Sequence, residues 1–259
     1  MSRALVNNYI IRAGTVYLKD IQLIRLAYRA SFRGYEHMLQ PYTIKFLKDL
    51  KKNNNKPWFE ANRPAFESSK KDFESFIQTI LHEHAKKDAG LATLKVKECV
   101  FRINRDVRFA KDKSPYKTNM GAYINTGGKK SIFAGYYFHC EPGQSFAGGG
   151  LWMPMAGEVK KIRQEIDYCL NEFKTIIESK KFQSVYGGLS KSEEYRLVNI
   201  PKGYEKDNPA SEYLKLKSWI ATKPISDADL VSKDLEKKVL EAFQTLQPLI
   251  KFLNRAIEE

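Results

Sequence analysis

The hydrophobic pattern of this chain changes its period near Gly90. Before that residue, apolar side chains recur at the three- and four-residue spacing of amphipathic helices. After it, short segments rich in aromatic and β-branched residues alternate with glycine and proline breaks, which is typical of antiparallel strands joined by tight turns. The C-terminal part returns to helical spacing. The pattern therefore predicts an α+β fold rather than a doubly wound α/β fold.

The same pattern predicts where the elements begin and end. Helices are expected from Pro41 to Asn53, from Pro64 to His84, from Pro154 to Ile177 and from Ser232 to Ile257. Strands are expected over Val96–Phe109, Gly121–Asn125, Ile132–Cys140, Gln144–Trp152 and Lys215–Thr222. Residues 182–208 are rich in turn formers and predict a loop. Together these elements predict a single domain in which helices pack on one side of a mostly antiparallel sheet.

Composition limits the class of protein. The 259 residues are 42% apolar, which is the content of a globular chain. No apolar run approaches the roughly 18–20 residues that cross a bilayer, so we expect a soluble protein with no membrane partner. The three cysteines, Cys99, Cys140 and Cys169, are odd in number and have no CxxC spacing. This argues against a disulfide framework or a cysteine zinc site, and it favours a reducing compartment.

Residues 1–37 differ from the rest of the chain. They carry six basic residues against Asp20 and Glu36, and they show no sustained helical or strand period. They also lack the apolar core of a secretory signal. We expect a disordered leader or an extension outside the natural fold; a mitochondrial transit peptide and an integral part of the domain are the alternatives. The domain then covers residues 38–259, and we expect it in the cytoplasm, with mitochondrial import as a minor alternative.

The net charge of +14 is concentrated in the first 120 residues and is densest between Cys99 and Met120. A positive surface favours anionic partners such as phosphates and nucleic acid. Charge alone does not require such a partner, because many basic proteins have none.

The segment Arg102–Lys117 holds six cations and two carboxylates. As a strand, it would place Ile103 and Val107 on an apolar face that Arg105 interrupts. A guanidinium in that position must be paired or must line a cavity, because burying an unpaired charge is prohibitive. Arginine binds phosphate and carboxylate groups through two parallel hydrogen bonds. The segment therefore predicts an anion site formed by Arg102, Arg105, Arg108, Lys111, Lys113 and Lys117.

Two other interpretations of this segment stay open. Asp106 and Asp112 would orient the cations of an anion site, or they would form an ion-pair network that holds the loop without any ligand. Weak catalytic candidates are Asp106, Asp112 and His139, since a histidine beside an aspartate could act as a general base. The alternative for His139 is a histidine satisfied in the core or at its rim.

Two further motifs carry little chemistry. His82 and His84 are two apart on a predicted helix and point in opposite directions, so no metal site is expected there. Gly148-Gly149-Gly150 lacks the Lys-Ser/Thr of a phosphate-binding loop. It predicts a bulge or a close backbone approach within a strand, and its bare amides could help to hold an anion.

Three strings of the sequence carry a family resemblance: FRINRDVRFAKDKSPYKTN, the preceding NNNKPWFEANR and the following GYYFHCEPGQSFAGGGLWMP. They resemble the uncharacterised family called domain of unknown function 2461. The resemblance extends from about Met38 to the C-terminus and leaves out residues 1–37. The family's pattern is met at Trp58, Phe59, Arg102, Arg105, Asp106, Arg108, Phe109, Asp112, Lys113, Pro115, Tyr116 and Lys117. It implies no activity, because the family has no established one.

The sequence thus predicts binding of a phosphate-bearing or otherwise anionic ligand, a nucleotide or nucleic acid, at an Arg- and Lys-rich pocket. One alternative is an enzyme acting on a phosphorylated or acidic substrate. The second is a non-catalytic scaffold whose Arg–Asp network is structural. Whether the protein is an enzyme stays undecided at this point, and no cofactor is expected.

Overall fold

The computed structural model of the protein describes residues 38–258. The predicted leader or extension, residues 1–37, lies outside the described residues. Within residues 38–258 the chain forms ten α-helices and a four-stranded antiparallel sheet, which confirms the predicted α+β class. No helix of this part of the chain has both the length and the apolar character that crossing a membrane requires.

Among the described residues, four helices precede the sheet: α1 (Pro41–Lys52), α2 (Lys56–Ala61), α3 (Arg63–Ala85) and the one-turn α4 (Val96–Cys99). The first three have a proline in the first turn, where its missing N–H and fixed φ fit the helix. Asn55 caps α2, because its side-chain oxygen accepts a hydrogen bond from the Trp58 amide at 3.0 Å. Phe73 and Ile77 of α3 are buried, as the helical period predicts.

The sheet has the strand order β1-β2-β3-β4, and every pair of neighbours is antiparallel. Its strands are β1 (Met120–Ile124), β2 (Gly135–Cys140), β3 (Phe146–Leu151) and β4 (Trp219–Pro224). The second and third lie within their predicted ranges. The first begins one residue early, and the fourth is displaced toward the C-terminus.

The remaining helices fill the C-terminal half. They are α5 (Ala156–Tyr168), α6 (Leu170–Ile177), α7 (Lys180–Tyr186), α8 (Ser211–Leu214), α9 (Asp227–Leu230) and α10 (Leu235–Glu258). The single helix predicted from Pro154 to Ile177 is two helices, divided at Cys169, whose φ of −107° and ψ of 35° are not helical. Short 3₁₀ turns occur at Ala89–Leu91 and Glu193–Tyr195.

The sheet has a covered face and an open face. Tyr136 and Phe138 project toward the helices, and Phe138 stacks on Phe73 of α3 with ring centroids 6.0 Å apart. Tyr136 packs on Phe243 of α10 at 5.1 Å. Because side chains alternate along a strand, Tyr137 and His139 of β2 face the other way. The core therefore lies between the sheet and α3 and α10, with the opposite face left for a site.

The predicted strand Val96–Phe109 is wrong over most of its length. It begins with α4, which forms because the Glu98 carboxylate accepts a hydrogen bond from the Lys95 amide at 2.8 Å and so satisfies a donor at the start of the helix. The chain beyond α4 is irregular and joins its neighbours only through isolated bridges, Val100 to Ala122 and Asn104 to Tyr116.

The alternation that suggested a strand is nevertheless present in part of this segment. Ile103 is buried, and Arg105 and Val107 are half-buried between exposed neighbours. Phe109 departs from the pattern, because it is 95% exposed. The apolar and polar positions were thus correctly separated near Arg105, although no ladder of strand hydrogen bonds supports them.

Candidate ligand site on the open face of the sheet

A cavity of about 630 Å³ lies on the open face of the sheet, and we call it the open-face cavity. Its floor includes the sheet residues Tyr123, Tyr137, His139, Phe146 and Thr222. Its walls include Phe101, Lys129, Ile132, Phe133, Trp152, Met153, Met155 and Glu158. Mostly apolar walls with a few convergent polar groups are the usual composition of a small-molecule site of this size.

Two glycines of β3, Gly149 and Gly150, line the cavity. They are glycines because the neighbouring strands leave no room for a side chain. A Cβ atom at Gly149 would lie 2.1 Å from the Gly135 carbonyl oxygen, and one at Gly150 would lie 2.0 Å from the Trp219 carbonyl oxygen. Gly150 also has a φ of 119°, which residues with a side chain rarely adopt. The glycine run is therefore a close backbone approach, one of its two expected roles, and it exposes bare backbone to the cavity.

Three polar side chains on the open face form a hydrogen-bonded chain. Tyr137 and His139 alternate on β2, and Glu141 follows the end of that strand at the same spacing. The Tyr137 hydroxyl lies 3.1 Å from His139 Nδ1, and His139 Nε2 lies 3.2 Å from Glu141 Oε2. Because a carboxylate only accepts hydrogen bonds, this network assigns the proton to Nε2 and leaves Nδ1 to accept from the Tyr137 hydroxyl.

Burial sets the protonation states of His139 and Tyr137. It lowers the pKa of His139 below the usual value, and the Glu141 carboxylate opposes that change only in part. Burial, assisted by the charge of Glu141, raises the pKa of Tyr137 to about 12. A neutral imidazole therefore sits beside a protonated phenol near pH 7. The His139 ring also stacks on Phe146, with centroids 4.9 Å apart, which holds its orientation.

Glu141 connects His139 to Thr118, the residue that follows the charged segment. Its Oε1 accepts a hydrogen bond from the Thr118 hydroxyl at 2.9 Å and lies 3.7 Å from the Lys51 ammonium. The carboxylate partner of His139 is therefore Glu141, a residue that the sequence analysis did not select. The two aspartates proposed for that role, Asp106 and Asp112, bind groups of their own loop.

Arg105 holds the charged segment together from within. Its Nη1 donates to Asp112 Oδ2 at 2.5 Å and to the Ser114 carbonyl at 3.1 Å. The other Asp112 oxygen accepts from the Ser114 amide at 2.9 Å and hydroxyl at 2.6 Å. These bonds lower the pKa of Asp112, with the Ser114 hydroxyl as the largest contribution. Arg105 is thus paired, one of the two outcomes expected for a guanidinium at this position.

The other charged residues of the segment are more exposed. Arg108 makes two hydrogen bonds to Asp106, at 2.9 and 2.6 Å, and its side chain is 76% exposed. The Lys113 ammonium donates to the Val107 carbonyl at 3.0 Å. Arg102 and Lys111 are exposed and make no ion pair with any of residues 38–258.

Phe101 links the charged segment to the open-face cavity. Its ring lines the cavity and contacts Tyr137 at a centroid distance of 6.4 Å. The Lys117 ammonium lies 5.3 Å from the centre of the same ring. None of the six predicted cations is among the described residues that line the cavity, so Lys117 approaches it through Phe101. Lys129, which was not predicted, lines it directly.

The rim of the cavity carries large apolar side chains that are exposed, namely Ile132, Trp152, Met153 and Met155. Single exposed apolar residues are ordinary on protein surfaces, but four around one opening are a feature of binding sites. Trp152 packs edge-on against Tyr195 with centroids 4.5 Å apart. Sequence reasoning assigned Trp152 only to the end of a strand, because a glycine-rich strand gives no signal that its face is concave.

The histidine pair on α3 is arranged as its spacing predicts. His84 is fully buried, whereas His82 is exposed, so the two rings point to different environments. No group of three His, Cys, Asp or Glu side chains suited to a metal ion occurs within the described part of the chain.

These features define a class of protein: an α+β domain whose antiparallel sheet carries helices on one face and a ligand-sized cavity on the other. The sequence profile of the conserved hypothetical protein family DUF2461 matches residues 42–252, and the chain belongs to that family. This confirms the resemblance that the charged segment and its flanking strings carry. No curated protein and no solved structure is similar enough to the chain to match it.

Proposed function

We propose that the protein binds a phosphate-bearing or otherwise anionic small molecule whose aromatic or apolar body lies in the open-face cavity. The observation that carries the proposal is the position of Phe101: its side chain lines the aromatic cavity, and the Lys117 ammonium lies 5.3 Å from the centre of its ring. A ligand with a planar body and an attached anion would use both.

The body of the ligand is supported by the chemistry of the floor. Tyr137, His139 and Phe146 offer aromatic surfaces, and stacking on such surfaces contributes about 1–3 kcal/mol for a nucleobase. The bare backbone at Gly149 and Gly150 lets a flat ring approach the sheet closely. A volume of about 630 Å³ suits one nucleotide-sized molecule rather than a strand of nucleic acid.

The anionic group is supported by the charges beside Phe101. Lys117 is half-buried, and burial together with the nearby Arg102 charge lowers its pKa, so its ammonium form gains from a bound anion. Lys129 adds a second ammonium within the cavity wall, although its Nζ also donates to the Lys97 carbonyl at 2.7 Å.

The experiment is a thermal-shift and calorimetric titration with AMP, adenosine, ribose 5-phosphate, benzoate and a single-stranded oligonucleotide at fixed ionic strength. Thr222→Phe fills the open-face cavity. Thr222→Val is the matched control, because valine is similar in shape to the threonine that it replaces. We expect Thr222→Phe to weaken binding of the aromatic anion at least tenfold and Thr222→Val to leave it unchanged. Lys117→Met should weaken binding, whereas Lys70→Met on the exposed side of α3 should not.

Two outcomes would count against this function. Binding of the oligonucleotide alone, with an affinity that falls steeply as salt is raised, would favour nucleic acid instead. Binding that is equal in wild type and Thr222→Phe would remove the open-face cavity from the site.

The Tyr137–His139–Glu141 chain favours a second candidate function, an enzyme acting on a phosphorylated or acidic substrate in the same cavity. A neutral imidazole held by a carboxylate is suited to accept a proton, and the phenol between it and the ligand can relay one. His139→Asn and Tyr137→Phe should then abolish turnover of a bound substrate while binding persists. A ligand that binds the wild type and is never converted would exclude the enzyme.

A further inference from the structure

We propose that a second cavity, lined by Lys160, Arg163, Lys202 and Lys217, binds a phosphate or another dianionic group. This cavity of about 420 Å³ lies between α5 and the segment around Pro201–Tyr204. Four of its lining residues are cations, and its lining includes no carboxylate from the described part of the chain. None of the four was expected from the sequence to bind a ligand.

The charges of the second cavity lack the compensation found elsewhere in the molecule. Within residues 38–258, none of its four cations has a carboxylate oxygen within 4.0 Å, whereas Arg105 and Arg108 of the charged segment each have one. Like charges gathered around one opening repel each other, and an anion placed among them offsets that repulsion. An anion in the second cavity would therefore not have to displace a carboxylate, as it would at Arg105 and Arg108.

Arg163 shows the same lack of compensation at the level of atoms. Its Nη2 donates to the Leu216 carbonyl at 3.2 Å, but its Nε is buried and has no acceptor among residues 38–258. Burial lowers the pKa of this guanidinium, which means that the charged form has lost hydration without full replacement. Because Nε has almost no accessible surface, an oxyanion in the cavity would be bound by the Nη groups of this guanidinium.

Tyr204 adds a neutral donor to the four cations. Burial raises the pKa of its hydroxyl, and the Asp167 charge acts in the same direction, so the phenol stays protonated near pH 7. Asp167 acts by its charge on Tyr204, and its Oδ1 accepts a hydrogen bond from the Asn208 side-chain amide at 2.6 Å. One carboxylate against four cations leaves the cavity with a net positive charge.

The second cavity adjoins the open-face cavity. Met153 and Pro154 line both, so they form the wall between the two. Met153 has a φ of 42°, in the left-handed region that residues with side chains rarely adopt, and its amide donates to the Ser218 hydroxyl at 2.9 Å. Such strain persists where the surrounding structure imposes it, commonly at functional sites.

A ligand that has its body in the open-face cavity and one anionic group beside Lys117 could therefore pass a second anionic group by Met153 and place it among the four cations. The bridging of the two cavities rests on the proposed function. Anion binding in the second cavity does not, so inorganic phosphate and a nucleotide test different parts of the inference.

The experiment uses the full chain and inorganic phosphate as the probe, measured by calorimetry with chloride adjusted to constant ionic strength. The test variant is Lys202→Met/Lys217→Met, and its matched control is Lys70→Met/Lys71→Met, which removes the same charge from the exposed side of α3. We expect phosphate to bind the wild type and the control equally. Loss of two charge-assisted contacts should weaken binding by the test variant at least tenfold.

Additional variants keep the result interpretable. Arg163→Lys retains the charge and the fold but removes the paired donors, and it should also weaken phosphate binding. Thr222→Phe, which blocks only the open-face cavity, should leave phosphate binding intact even if the proposed function fails. Absence of phosphate binding to the wild type, or equal binding by the test variant, would overturn the inference. So would weakening by Arg102→Met/Lys111→Met alone, which would move the anion to the charged segment.

Discussion

One Asp112 carboxylate oxygen accepts a hydrogen bond from Arg105 at 2.5 Å, and the other accepts one from the Ser114 hydroxyl at 2.6 Å. The residue that the sequence marked as the most informative cation is therefore engaged within its own loop. An incoming anion would have to compete with Asp112 for Arg105. The pair stabilises a hairpin-like turn, in which the Arg105 amide donates to the Pro115 carbonyl at 2.9 Å.

The first prediction separates a structural from a ligand-binding role of Arg105. Arg105→Met should lower the melting temperature by about 2–4 °C, because a partly buried ion pair with two acceptors is lost. Arg108→Met should change it by less than about 1 °C, since its pair with Asp106 is exposed to solvent and screened. Differential scanning fluorimetry of both variants measures this. Equal melting temperatures for the two variants would contradict the structural role.

The fold was predictable wherever periodicity was long and unbroken. The stripe of α3 with Phe73 and Ile77, and the three aromatic strand segments, gave the layer order directly. The segment after Val96 failed, because alternation in sequence reports which side chains face inward and not whether a neighbouring strand supplies hydrogen bonds. Here Glu98 caps a helical turn, and the chain that follows pairs with its neighbours only through isolated bridges.

The second prediction concerns the protonation of His139. Burial lowers its pKa and Glu141 raises it, so Glu141→Gln should lower the pKa of His139 further. An NMR titration of the imidazole carbons should give a pKa below 6.5 in the wild type, with the Nε2–H tautomer at neutral pH. Glu67→Gln, a change on the outer side of α3, should leave the titration unchanged. A pKa that rises in Glu141→Gln would exclude the hydrogen bond to Glu141.

The third prediction tests why β3 is made of glycines. At Gly150 an alanine meets both an unfavourable φ and the Trp219 carbonyl oxygen at 2.0 Å, so the strands must separate. At Gly143 the φ of 80° is also unfavourable, but no atom lies within 4 Å of the added Cβ. Gly143→Ala should cost about 1 kcal/mol from backbone strain alone. Gly150→Ala should cost several times as much in denaturant unfolding, and equal costs would mean that the close approach is absent.

The site was predictable only in part, for a physical reason. His139 was selected, and it does line the open-face cavity. Its partner Glu141 lies beyond the end of β2, and Lys51 and Thr118 reach it from distant parts of the sequence, so no local pattern joins them. The four cations of the second cavity are similarly dispersed between residues 160 and 217. Charge density along the chain identifies clusters in sequence, whereas uncompensated charge in space depends on where the carboxylates fold.

The fourth prediction follows from the burial of His84. Its ring packs edge-on against Tyr136 at a centroid distance of 4.4 Å, and neither ring nitrogen has a hydrogen-bond partner among the residues that the structure describes. Burial lowers the pKa of His84 from 6.5 to about 4. The unfolded chain therefore binds a proton below pH 6.5 that the folded chain does not bind until about pH 4. The free energy of unfolding should fall by about 3 kcal/mol across this interval, since one pKa unit corresponds to about 1.4 kcal/mol.

His84→Leu isolates this effect from the titration of carboxylates. Leucine has a similar volume and no polar atoms, so the variant should be as stable as the wild type, or more stable, at pH 7. As the pH is lowered from 6.5 to 4, the wild type should lose stability relative to the variant, and urea unfolding at several pH values measures the difference. Parallel pH curves for the two proteins would mean that His84 has the same pKa in the folded and unfolded chains, and hence that its surroundings admit water or an acceptor.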